Sequence, residues 1–125
     1  ICLLKLVAWL DREIELRAKD ATDFSYLIQS YSKIPEILEA LYEDGYMESQ
    51  EWGETKASAM KLGIDTADIA SSETIEFLSE KLFNQPAKVE QFVRDMGRRG
   101  GSGLAQNAEW FDIFMEAILK GDLNS

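Results

Sequence analysis

Histidine is absent from the 125 residues, and cysteine occurs once, as Cys2. Without imidazole there is no Ser-His-Asp or Cys-His nucleophile, no histidine general base and little of the usual zinc chemistry. A single cysteine excludes an internal disulfide framework and fits a reducing, cytoplasmic compartment. Beside an apolar terminus it reads as a small core residue rather than a nucleophile. Long apolar runs are missing as well. "ICLLKLVAWL" is too short to span a bilayer, Lys5 interrupts it, and it lacks the basic flank and cleavage site of a signal peptide. No membrane partner is expected. The sequence opens on Ile1 inside that apolar pattern, which reads as the edge of a longer chain, with 1–125 a single helical domain from its C-terminal part.

Positive charge is also scarce: 13 Lys and Arg stand against 23 Asp and Glu, for a net charge of −10. The first 35 residues are balanced, so residues 36–125 carry the whole deficit, and Glu36 to Glu54 hold seven acids and no base. Such a surface repels phosphate backbones, so strong nucleic-acid binding by this domain alone is not expected. Solubility explains most of the acidity.

What the sequence does have is helical periodicity. With 46% hydrophobic and 29% charged residues it is a globular domain of one core. Residues 2–11 are apolar nearly all round, the mark of a helix buried by its neighbours. Phe24, Leu27, Ile28 and Tyr31 recur at helical spacing, which predicts a helix over roughly 19–31. Pro35 opens a third helix and Gly45 closes it. Glu54–Leu62 follows, with Gly63 read as its stop and a short turn near Asp65–Ala70. Ser71 or Ser72 caps the next helix. "NQP" interrupts before Val89, Phe92, Val93 and Met96 resume the period, and a last helix carries Trp110 to Ile118. No strand alternation is evident. The expected fold is all-α, an irregular bundle of six or seven helices, with "RRGGSG" at 98–103 as a flexible inter-helix loop rather than an anion cradle.

One polar constellation stands out. Lys5 sits on a helix that is apolar on every side, where an ammonium must reach water, shift its pKa or meet an anion. Arg17, Asp20 and Phe24 share one stripe of the second helix, which puts Asp20 near the core-facing side. Asp23 follows three residues on, with Lys19 at i−4. Short connections make consecutive helices antiparallel neighbours, so Asp20 or Asp23 is the natural partner of Lys5. Two readings stay open. The group is either a structural ion pair, with Asp20 and Asp23 as first-turn acids, or a cluster at the rim of a cleft where Lys5 meets phosphate.

The segment "LKLVAWLDR…LRAKDATDFSYLI" resembles the pattern K-L-x-A-x-x-x-R…[RK]-D-x-x-D-[LF] found after the catalytic core of AbiEii-like nucleotidyltransferases, a toxin-related branch of the polymerase-beta-like superfamily. "LYEDGYMESQEWGETKASAMKLGIDTADIAS" resembles the helical tail of the same proteins. The resemblance implies that Lys5, Asp20 and Asp23 belong to the catalytic cleft, and that Lys5, Arg17 and Lys19 contact substrate. It implies Mg2+ and a nucleoside triphosphate for the complete enzyme, held by an N-terminal nucleotidyltransferase domain of the same chain, and an antitoxin protein as partner. Lys19 stands where arginine is usual, which loses a bidentate fork. The family's Gly-Ser…Asp-x-Asp metal motif is absent, so no metal ligands are assigned and this chain alone should be inactive. The alternative is an acidic helical interaction module, its Glu36–Glu54 face with exposed Trp52 and Tyr46 docking a basic partner.

Overall fold

A computed structural model describes residues 2–11, 14–50, 53–97 and 103–124. Among them are eight α-helices and no strand: α1 (Cys2–Asp11), α2 (Ile14–Tyr31), α3 (Pro35–Glu43), α4 (Tyr46–Ser49), α5 (Glu54–Ile69), α6 (Ser72–Leu78), α7 (Pro86–Met96) and α8 (Leu104–Asn124). A π-helical turn, Ser79–Phe83, continues α6. The all-α bundle expected from the periodicity is the fold observed. Its extra element is the single turn α4, which begins just after Gly45 takes a left-handed φ of 83°. That conformation is strained for any residue with a Cβ.

Capping follows simple chemistry. Pro35 and Pro86 occupy first-turn positions, where a missing N–H is no loss. Ser71 is the N-cap of α6, its hydroxyl accepting from the Thr74 N–H at 3.1 Å. Gly103 precedes α8, and its carbonyl accepts from the Asn107 N–H at 3.0 Å. The remainder of the expected loop, 98–102, lies outside the described residues, as does Trp52.

Two helices differ from the sequence reading. α2 starts at Ile14, not near residue 19, so Asp20 and Asp23 lie well inside it. They are not first-turn acids, and the helix N-terminus does not stabilise them. The second difference concerns Gly63, which does not end a helix. α5 runs through it to Ile69, and the turn expected at Asp65–Ala70 is helical up to that point. Glycine is there for proximity: a Cβ at Gly63 would stand 2.7 Å from both the Ala117 Cβ and the Phe114 carbonyl oxygen. With Ala57, Ser58, Ala59 and Ala67 also buried, α5 presents a low surface on which α8 lies close.

The main core is aromatic. Phe24 of α2 makes edge-to-face contacts with Phe92 of α7 and Phe114 of α8, at centroid distances of 5.4 and 4.9 Å. Phe92 stacks on Phe111 at 4.7 Å, and Trp9 of α1 meets Phe92 edge-on at 5.1 Å. All five rings are essentially solvent-free, and such pairs add to the area they bury. A smaller core, Leu41, Met47 and Ala57, ties α3 and α4 to α5.

Candidate functional site

The periodicity of α2 decides what Lys5 meets. Ala21, Phe24 and Ile28 form its buried stripe, and Asp20, one turn earlier than Phe24, is drawn inward with them. Asp23 lies beside that stripe and stays part-exposed. α1 and α2 run antiparallel: Lys5 faces Asp20 and Asp23, while Cys2 shares a cleft with Leu27 and Tyr31 further along α2. The Lys5 Nζ donates to Asp23 Oδ2 at 2.8 Å and stands 3.8 Å from Asp20 Oδ1. The Lys5 and Asp23 side chains are 28% and 38% exposed, whereas that of Asp20 is 3% exposed. The cluster thus has a solvent-facing side, and Asp23 is the partner free to swing away.

Lys5, Asp20 and Asp23 are therefore brought together, as the sequence suggests. Lys19 is exposed, and among the described residues no ion pair joins it to Asp23. Lys5 takes that carboxylate instead. Arg17 lies in α2, its side chain outside the described residues.

A second polar group escaped the sequence reading. Tyr31, at the end of α2, donates its hydroxyl proton to Asp65 Oδ2 of α5. Lys61 donates to Asp65 Oδ1 at 3.2 Å and lies over the Tyr46 ring, 5.3 Å from its centroid. Burial pushes the Tyr31 phenol well above its ordinary range, and the hydrogen bond to Asp65 and its charge push the same way. Burial also raises Tyr46, with Lys61 opposing. The signal was an i,i+4 pair, Lys61 and Asp65, and reading Gly63 as a stop hid it.

Two buried groups complete the inventory. The Cys2 thiol is pushed up to about 12 by burial, against a hydrogen bond with Thr66, so it is an inert core group at neutral pH. Asp95 is buried and accepts from the Trp9 Nε1–H and from Gln91 Nε2, both at 2.9 Å, which fastens α7 to α1. Among the described residues no group of three or more Cys, Asp or Glu is arranged to hold a metal ion, and no helix is long and apolar enough to cross a membrane. The chain matches no family model, no curated protein and no solved structure.

Proposed function

We propose that this domain is the helical, substrate-side region of a nucleotidyltransferase whose metal- and nucleotide-binding domain lies elsewhere in the same protein. The observation that carries the reading is Lys5: one ammonium held between the two aspartates of the motif, part-exposed at a helix seam. Asp20, buried, fixes where Lys5 stands. Asp23, more exposed, neutralises the ammonium until a phosphate oxygen replaces it. Two carboxylates against one cation leave this seam net negative while Asp23 stays in place, so phosphate binding requires that exchange. The aspartates here do not make a metal site, because both face Lys5. Mg2+ and the nucleoside triphosphate are assigned to the other domain, as is docking of an antitoxin protein to the whole assembly.

The test is transfer of radiolabelled nucleotide in the presence of Mg2+. The chain alone should stay at background, and the whole protein should be active. Metal-dependent transfer by the isolated chain that disappears with Asp20→Ala would overturn the assignment.

A second reading, the interaction module, is favoured by the surface of α3, although Tyr46, expected on that face, is half-buried against the smaller core. Ile34 and Tyr42 are 45% and 55% exposed, beside exposed Glu36, Glu39 and Glu43. Acidic side chains around exposed apolar ones suit a basic, amphipathic partner. Loss of partner binding in Tyr42→Ala, with transfer activity intact, would favour this role.

A further inference from the structure

A cleft of about 260 Å³ opens between α1, α2 and α5, one helical turn along the seam from Lys5. That is just under the usual range of ligand sites, so only a small molecule fits. Its walls are Cys2, Leu3, Leu27 and Leu62, and Ile69, 81% exposed, stands at its rim. Tyr31, Asp65 and Thr66 form the polar end.

The polar end is selective because of how its protons are committed. The Tyr31 hydroxyl gives its proton to Asp65, so Oη can only accept a further bond. Asp65 is an acceptor throughout, already oriented by Tyr31 and Lys61. Thr66 is engaged with the Cys2 thiol. Asp65 is the charged side chain in the lining, and Lys61, which pairs with its Oδ1, stands outside that lining. A ligand entering here meets apolar walls and, at one end, acceptor oxygens that include the Asp65 carboxylate. A carboxylate would meet the like charge of Asp65, and a plain hydrocarbon would offer nothing to the remaining lone pairs of these oxygens.

We propose that this cleft binds a small primary amine with an apolar body, the body against Leu3, Leu27 and Leu62 and the ammonium against Asp65. The site is separate from Lys5 and does not depend on the nucleotidyltransferase reading.

Three probes of one shape test it by NMR titration of the chain: 2-phenylethylamine, 2-phenylethanol and 3-phenylpropionate. The amine should shift the amides of Cys2, Leu27, Leu62 and Ile69. It should bind about five- to tenfold more tightly than the alcohol, with the carboxylate weakest, and the advantage should shrink in high salt. Asp65→Asn keeps an acceptor for Tyr31 but removes the charge, and should bring the amine level with the alcohol. Leu27→Trp should fill the cleft and abolish binding of all three. The proposal fails if no probe saturates in the millimolar range, if the carboxylate binds as well as the amine, or if Asp65→Asn keeps the amine preference. The Asp65→Asn comparison decides the matter even if Leu27→Trp does not fold.

Discussion

Replacing Gly63 by alanine sets two effects of opposite sign against each other. In an exposed helix the change would stabilise by about 1 kcal/mol, because alanine forms helix far better than glycine. Here the new methyl would stand 2.7 Å from the Ala117 Cβ, 2.7 Å from the Phe114 carbonyl oxygen and 3.1 Å from the Ile118 amide nitrogen. Two of those atoms are backbone and cannot rotate away. α8 must lift from α5 by several tenths of an ångström, and Phe111, Phe114 and Ile118 leave their packed positions with it. Overpacking of this kind costs about 1–3 kcal/mol and more where backbone must shift. Net of the helix-propensity gain, the expectation is destabilisation by about 1–2 kcal/mol, a fall of roughly 3–8 °C in Tm for a domain of this size. Thermal melts followed by circular dichroism measure it. Gly103→Ala, whose Cβ would meet nothing within 4 Å, is the control and should shift Tm little. A Gly63→Ala variant that melts at or above the wild type would refute the close-approach account of α5.

Stability should fall above about pH 9. Cys2 and Tyr31 have folded-state pKa values raised above their ordinary ones, so the unfolded chain loses those protons first and holds fewer of them. Stability from these groups is complete below the unfolded pKa and is lost as pH rises toward the folded value; in Cys2→Ala the melting curve should be flatter between pH 9 and 10, whatever its absolute level. Trp9→Phe removes the donor to buried Asp95 and leaves space in the aromatic core, and should cost about 2–4 kcal/mol in urea unfolding. A loss under about 0.5 kcal/mol would show that the Trp9–Asp95 bond does not fasten α7 to α1.

The parts legible in the sequence were those fixed by local chemistry. Pro35, Pro86 and Ser71 act through their own rings and hydroxyl, and the buried stripe of α2 needs only its spacing. Lys5 could be paired with Asp20 and Asp23 because an apolar helix leaves an ammonium few choices. Gly63 was misread because a glycine that ends a helix and one that admits a neighbouring helix look alike until α8 is in place. The same error hid the Tyr31–Asp65–Lys61 group. Its members belong to α2 and α5, and only tertiary packing joins Tyr31 to the i,i+4 pair. The start of α2 was missed because residues 14–18 extend the helix beyond its apolar stripe.

The role we propose for Lys5 is to work on phosphate, beyond fastening α1 to α2. Lys5→Met and the double variant Lys5→Met with Asp20→Leu separate these roles in the whole protein. The single change leaves Asp20 buried without its nearby ammonium, and should lower Tm. The double removes that buried charge, so Tm should recover. A cation that stabilises charge in the transition state is worth about 10²–10³-fold in rate. Nucleotidyl transfer, measured with Mg2+ and labelled nucleoside triphosphate, should therefore stay lost in both variants while the double regains its stability. Full transfer activity in the well-folded double variant would contradict the account and leave Lys5, Asp20 and Asp23 a structural ion pair.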